Sequence, residues 1–381
     1  MEDNTYGDPY FSISPGMIPL GIPLPYSLFI NSSKREGKNR YVRVTDKGKA
    51  VGPDDLKKLE HKYLRLYIPE SSRDDFIKTI LRFHHIGPHQ KMDMVKNRTM
   101  AHLKALFDKD REFNTTILKE TIVNCHKSVG NMVDILQEQE LMSLPGLIAK
   151  LGLHDFYTYD HSINVGMYCI AILKALDGKA NREELTHCGL GGLLHDLGKT
   201  QISTSIINKQ GKLTDDEFEQ IKKHPGLGID MIEETQDHPH PIDLDILKRV
   251  VGEHHENVDG SGYPNKIKKE DIHLYARICA LADFFDAITT KRSYNEVLSM
   301  PKAIETIAYT VGKKIDPEVF SVFHEMIQKS QRKGEGKSPK CFRLDDSFDS
   351  ERPFSQLPLR PTLSPPPYFQ NFGKVVIKRI F

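Results

Sequence analysis

Five short elements follow one another between Asp160 and Ala287, and each sets imidazole or carboxylate in or beside an apolar helical stretch. They are Asp160-His161-Ser162, then His195-Asp196-Leu-Gly198-Lys199, then His224-Pro225. His254-His255-Glu256 comes next, running into Asp259-Gly-Ser-Gly-Tyr-Pro264, and Ala282-Asp283-Phe-Phe-Asp286-Ala287 closes the series. Leu190, Leu193, Leu194 and Leu197 flank the His195-Asp196 pair, and Ile278, Ala280 and Leu281 precede Asp283. A buried carboxylate without a charge partner or metal is costly. Helices are rigid platforms on which facing side chains converge, as in the metal sites of bundle cores. The pattern therefore demands an arrangement of helices that brings these elements together.

The surrounding sequence agrees. From 146 to 330 the periodicity is helical throughout and no strand alternation interrupts it, which predicts an all-α bundle. Asn181-Arg-Glu-Glu184 and Thr214-Asp-Asp-Glu217 are capping-box patterns that open apolar-periodic segments. Residues 16–86 read differently, as a small α+β domain. Tyr26–Ile30, Tyr41–Val44 and Leu64–Ile68 have strand composition. Pro53 followed by Asp54 and Asp55 starts a helix to about Lys62, and a second helix is expected from Arg73 to His84. The pair His84-His85 has no carboxylate at ligand spacing and reads as surface. Residues 1–15 form a loose leader. Residues 87–145 form a helical linker, either a plain connector or the site of a homo-oligomer interface.

The end of the chain changes character. Seven of the 22 prolines fall in 331–381, among Ser and charged residues, which reads as a disordered tail. Its last stretch, Lys374 to Phe381, is basic and apolar: an unstructured end, or a segment that binds a partner protein.

Composition narrows the function classes. The chain has 381 residues, enough for two or three domains. Lys plus Arg is 53 against 52 Asp plus Glu, a formal net charge of +1, which argues against polyelectrolyte binding to DNA but leaves room for a local basic pocket. Five cysteines with no CxxC fit a reducing compartment better than disulfides or a thiolate zinc site. No apolar run approaches the roughly 20 residues needed to span a bilayer. A cytoplasmic protein without a membrane segment is expected. Ten of the 17 histidines lie between His154 and His273. That enrichment alone does not separate a metal centre from a His-rich surface.

Position separates them. His161, His195, Asp196 and Asp283 could hold one metal, and His224, His254 and His255 a second, with Asp196 bridging. Imidazole and carboxylate without thiolate suit Fe, Mn, Co, Ni or Zn. Two such ions roughly 3.5–4 Å apart generate a hydroxide and hold the oxygens of an in-line phosphoryl displacement. Lys199 could reach a phosphate or assist a leaving group; a solvated lysine at a helix end also suits the dipole. Arg292 could bind phosphate in bidentate fashion or form a surface ion pair. Gly260 and Gly262 permit a tight turn, and Tyr263 beside them could stack on a base, bond a phosphate or pack the loop. Asp286, about one turn beyond Asp283, reads as a substrate contact or as support for a ligand.

These motifs, taken together, resemble the HD-GYP family, a branch of the HD-domain metal-dependent phosphohydrolases. The resemblance covers about residues 150–328. It rests on Tyr157-Thr158 leading to His161-Ser162, the His195-Asp196-Leu-Gly-Lys199 run, and Leu213-Thr-Asp-Asp-Glu217 leading to His224-Pro225. It continues through His254-His255-Glu256 with Asp259-Gly-Ser-Gly-Tyr-Pro264, then Ala276-Arg-Ile, Ala282-Asp283, Asp286-Ala287, Arg292 and Ile315-Asp316-Pro317. The resemblance implies an HD-type helical bundle as catalytic domain and a di-iron or related centre on His161, His195, Asp196, His224, His254, His255 and Asp283. It further implies hydrolysis of cyclic di-GMP to pGpG, and in many members on to GMP, within bacterial second-messenger signalling. Alternatives are another cyclic dinucleotide as substrate, or a sensor that binds without hydrolysis. Some members hold a third metal through a Glu four residues before the first His; Tyr157 stands there, so a binuclear site is expected. Lys266, His273, Thr204, Ser293 and Asn295 depart from the family pattern without removing a ligand. Asn295, replacing a basic residue, bears on phosphate binding.

Overall fold

The structure, a computed structural model, describes residues 9–33, 39–83, 86–107, 114–137, 158–209, 211–235, 242–290 and 298–334. The chain divides into two units, Met1–Val95 and Lys96–Phe381.

The first unit is built on a four-stranded sheet of β1 (Tyr10–Ile13), β2 (Leu28–Asn31), β3 (Tyr41–Thr45) and β4 (Leu66–Pro69), in the order β1-β4-β2-β3 with antiparallel neighbours. Successive strand side chains point to opposite faces. Phe11, Ile13, Leu28, Leu66 and Ile68 accordingly turn into a core that includes Tyr26, Phe76 and Ile80. The intervening Tyr10, Phe29, Tyr41 and Tyr67 form a chain of ring contacts on the other face. Strand β1 falls within the stretch that the sequence reading left as a loose leader. Its four residues alternate only once around Ser12, too short a signal without the partner strand. Helix α1 (Pro53–Lys62) has the expected bounds, whereas α2 (Arg73–Leu81) stops before His84. His84-His85 and residues 1–8 lie outside the described residues.

The second unit is helical. Helix α3 (Pro88–Phe107) starts in the first unit and runs into the second, and α4 (Thr115–Gln137) follows. The sequence reading gave this stretch to a linker, but Leu118, Ile122, Val129, Val133 and Leu136 of α4 are buried. Helices α5 (Thr158–Leu176) and α6 (Arg182–Leu194) form the centre. Gly189 lets α4 and α5 close on α6: a Cβ there would stand 2.8 Å from Val129 and 2.7 Å from Ile170. Asn181 caps α6, accepting from Glu183 N and Glu184 N while Glu184 accepts from Asn181 N, so both halves of the box form. After a 3-10 turn, Leu197–Gln201, come the short α7 (Thr204–Ile207), α8 (Asp215–Ile221), α9 (His224–Glu233) and α10 (Leu244–Glu253). The Thr214–Glu217 box opens α8 as the sequence predicts. Helix α11 (Leu274–Thr289) is buried along nearly its whole length, against α5, α6 and α10. Helices α12 (Met300–Ala308) and α13 (Pro317–Gly334) complete the bundle. Residues 335–381, including the proline-rich tail, lie outside the described residues. No described helix is long and apolar enough to cross a membrane.

Candidate metal centre

Each of the five sequence elements ends or begins a helix of the second unit, or projects from one. His161 lies in the first turn of α5, and His195 and Asp196 follow α6 directly. His224 opens α9, His254 and His255 follow α10, and Asp283 sits mid-way along α11. The helices bring these seven residues into two adjoining groups of potential ligand atoms. One is His161, His195 and Asp283; the other is Asp196, His224, His254 and His255. Within each group the atoms lie within 4.8 Å of one another.

Asp196 faces both. Its Oδ2 is 3.3 Å from His195 Nε2 and its Oδ1 is 3.4 Å from His224 Nε2. Asp283 Oδ1 lies 3.2 Å from His161 Nε2 and 4.0 Å from His195 Nε2. Gly198 lets the turn after Asp196 come this close to α9. A Cβ there would stand 2.0 Å from the His224 carbonyl oxygen, so no larger residue fits without moving the Asp196 turn away from His224.

Three of the histidines are fixed in the same way. His195 Nδ1 donates to Gly192 O at 2.8 Å, His224 Nδ1 to Ile221 O at 2.8 Å, and His254 Nδ1 to Val251 O at 2.9 Å. Each uses a carbonyl three residues back, at the end of the preceding turn. A carbonyl only accepts, so Nδ1 must carry the proton, and in a neutral ring Nε2 keeps its lone pair for a metal. Burial, with Lys199 second, pushes His224 down to about 4, and burial with neighbouring imidazoles holds His254 and His255 well below their usual range. These rings are therefore neutral at neutral pH.

That protonation pattern leaves an electrostatic problem that a cation resolves. His224 Nε2 and His254 Nε2 face each other at 3.2 Å, lone pair towards lone pair. His195 Nε2 and Asp196 Oδ1 are buried without a hydrogen-bond partner. Burial pushes the Asp196 carboxyl up, but His195 and Lys199 outweigh it and hold the group well below the carboxylate range. For Asp283 burial is likewise outweighed, chiefly by His161. Anionic oxygens and neutral imidazole nitrogens converging in a buried site fit divalent cations.

His161 is supported by a carboxylate. Its Nδ1 is 2.7 Å from Asp286 Oδ2, while Asp286 Oδ1 accepts from Asn164 Nδ2 at 3.0 Å and from Thr290 Oγ1 at 2.9 Å. Asp286 is buried, and both its oxygens are engaged by these groups. Asn164 was missed by the sequence reading; its only signal was the i, i+3 spacing from His161 on one helix face.

Lys199 Nζ is 2.6 Å from Asp196 Oδ2 and half-buried at the edge of the centre. The Tyr263 ring stacks on His255, centroids 4.8 Å apart at 27°, and Lys222 Nζ lies 6.0 Å from the same ring. The loop that carries Tyr263 is tied down by Glu256, whose Oε1 accepts from Asn265 N and Lys266 N, and by the bond from Tyr263 N to His255 O. Gly262 is required there, since a Cβ would stand 2.2 Å from Asn257 N. Tyr157, Arg292, Ser293 and Asn295 lie outside the described residues.

Comparison with known proteins places this arrangement. A family profile described as "HD domain" matches residues 159–319. Over 221 residues the chain is 34% identical to a protein of Pseudomonas aeruginosa named "Cyclic di-GMP phosphodiesterase PA4108", covering 56% of this chain and 50% of that protein. It is 30% identical over 208 residues to "3'3'-cGAMP-specific phosphodiesterase 3" of Vibrio cholerae, covering 50% of this chain and 43% of that one. The chain thus spans about half the length or less of these curated relatives. Among solved structures it is similar to Bd1817, described as a HDG"Y"P protein, from Bdellovibrio bacteriovorus. The TM-score is 0.52 at 15% identity, over 84% of this chain and 100% of that one. That likeness is one of fold.

Proposed function

We propose that the chain is a protein of the HD-GYP family, by way of the HD domain that its residues 159–319 match, and that it is a metal-dependent phosphodiesterase that hydrolyses cyclic di-GMP to pGpG in cytoplasmic second-messenger signalling. The observation that carries this reading is Asp196, whose two oxygens face the two ligand groups at 3.3 and 3.4 Å. His161, His195 and Asp283 would hold one divalent ion and His224, His254 and His255 another, with Asp196 shared. Iron is the first assignment, with Mn, Co, Ni and Zn as alternatives. When bound, such ions supply Lewis acidity, charge neutralisation and activation of water for in-line attack on phosphorus.

The chain's own residues do the rest. His195, His224 and His254 arrive with their protons already committed to backbone carbonyls, so no reorganisation is needed to present Nε2. Asp286 acts through His161 rather than on substrate, because its oxygens are turned to His161, Asn164 and Thr290. Lys199 stands at the edge of the site on Asp196, where its ammonium can neutralise a phosphate oxygen and the departing 3′ oxygen. Tyr263 holds His255 by stacking and closes that side of the site. Arg292 is assigned a phosphate contact from the sequence motif alone.

Metal analysis of anaerobically purified chain, paired with chromatography of the products from cyclic di-GMP, tests the reading. Metal-dependent formation of pGpG is expected. A chain loaded with each plausible metal that binds this nucleotide without turnover would instead make it a sensor. The second reading, turnover of another cyclic dinucleotide, has a specific motive: curated relatives of comparable identity, 30 to 34%, are named 3'3'-cGAMP-specific. Catalytic efficiencies measured side by side on both nucleotides separate the two.

A further inference from the structure

One buried charge pair stands outside the ligand set and touches it only through the chain. Lys96 Nζ on α3 lies 2.8 Å from Asp160 Oδ1 on α5, and both side chains are 8% exposed. Asp160 directly precedes His161 and, like it, belongs to the first turn of α5. Neither residue offers an atom to the two metal-ligand groups.

The placement has a physical consequence. His161 is the ligand nearest the start of α5, and a helix frays most readily at its first turn, where backbone N–H groups lack partners inside the helix. The negative charge of Asp160 suits that end of the helix dipole. Buried at this depth, the carboxylate also needs a cation, and removing one partner of such a pair leaves an uncompensated charge that the structure relieves by moving. Unwinding or rotation of the first turn of α5 would return the carboxylate to water, and either motion displaces His161 from Asp283 and Asp286. The other group, Asp196, His224, His254 and His255, is carried by other elements, and within it His224 and His254 are anchored by backbone carbonyls.

We infer that Lys96 is a positioning residue: by holding Asp160 it fixes the first turn of α5 and so decides whether the His161, His195 and Asp283 group is assembled. The inference rests on the two-metal reading above for its consequence but not for its structural content. Lys96 is the first residue of the second unit, on a helix that begins at Pro88 in the first.

The test uses the full chain in three forms: unaltered, Lys96→Met and Lys96→Arg. Amide hydrogen exchange of the metal-free protein is read over residues 158–164 and over 195–200, and bound Mn(II) per chain is then measured after equilibrium dialysis. In Lys96→Met, exchange over 158–164 should rise at least tenfold with 195–200 unchanged. Bound metal should fall from about two equivalents to about one. Lys96→Arg, which keeps the charge, should retain most of both properties. If Lys96→Met does not fold, Lys96→Gln, which removes the charge but keeps a hydrogen-bond donor beside Asp160, takes its place with losses in the same direction. Unchanged exchange over 158–164 in a folded variant overturns the inference. An unaltered chain that binds only one equivalent overturns the two-metal reading instead, while faster exchange over 158–164 would still support the positioning role.

Discussion

His161 Nδ1 lies 2.7 Å from Asp286 Oδ2, a contact between the first turn of α5 and the last turns of α11. It sets the His161 ring so that Nε2 points to Asp283 Oδ1, 3.2 Å away. The other three fixed histidines use backbone carbonyls for the same purpose, so His161 alone among these four depends on a side chain for its orientation.

Replacing that side chain should therefore weaken metal binding without unfolding the protein. Asp286→Asn keeps the shape but removes the charge and one acceptor. Loss of such a supporting carboxylate typically costs about 10–100-fold in metal affinity or activity. Titration of the chelator-treated chain with Mn(II) checks this, and an affinity within twofold of the unaltered chain would contradict it.

Asp196 should behave differently, because it faces both groups. Asp196→Ala removes an oxygen from each group at once and leaves Lys199 without its carboxylate. The proposed hydrolysis of cyclic di-GMP should drop below detection, by at least about a thousandfold, in keeping with loss of a metal-held displacement worth several kcal/mol. His195→Ala combined with Asp196→Ala should be no worse, since the single change already disables the centre. Product chromatography and metal content read both effects.

The metal-free chain should lose stability as the pH falls through a defined window. Unfolded histidine titrates near 6.5, whereas burial and then Lys199 push His224 down to about 4, and His254 and His255 are also depressed. The unfolded state then takes up protons that the folded state refuses, so stability is fully present above pH 6.5 and declines towards pH 4. His224 alone corresponds to on the order of 3 kcal/mol at the lower end. The depressed Asp196 and Asp283 act below that, losing their contribution as pH falls under the carboxylate range. Urea unfolding of chelator-treated protein at pH 7, 6, 5 and 4 reads the first window. A midpoint that stays constant would show that these rings are not buried as neutral groups.

Gly198→Ala tests the close approach between the His195-Asp196 turn and α9. The added Cβ would stand 2.0 Å from the His224 carbonyl oxygen and 2.6 Å from Gly228 N, both backbone atoms that cannot swing aside. Overpacking of this kind costs about 1–3 kcal/mol, and here the strain falls on the two segments that carry the candidate ligands Asp196 and His224. A lowered melting temperature together with weaker metal binding is expected. Gly178→Ala, where a Cβ meets nothing within 4 Å, serves as the comparison and should leave metal binding unchanged.

The residues that could hold a metal, and much of the helical frame, could be read from the chain alone. His195-Asp196, His254-His255 and Asp283 are local patterns, and so are both capping boxes and the Pro53–Lys62 helix. In each, the residues that decide the outcome sit within a few positions of one another. The failures share the opposite property. Strand β1 exists because Tyr10–Ile13 pairs with Leu66–Pro69, more than fifty residues away in the chain. Helix α4 joins the bundle because α6 has a glycine that lets Val129 approach.

Sequence by itself determined which atoms could bind a cation, because imidazole and carboxylate carry that chemistry wherever they stand. Tertiary structure decided the grouping of those atoms: Asp196 between two sets, Asp286 turned to His161 instead of outward, Lys96 brought to Asp160 from a helix some sixty residues upstream. The reason is burial. A charged or polar group taken out of water must find its partner inside the fold, and only the packing of helices distant in sequence says which partner that is.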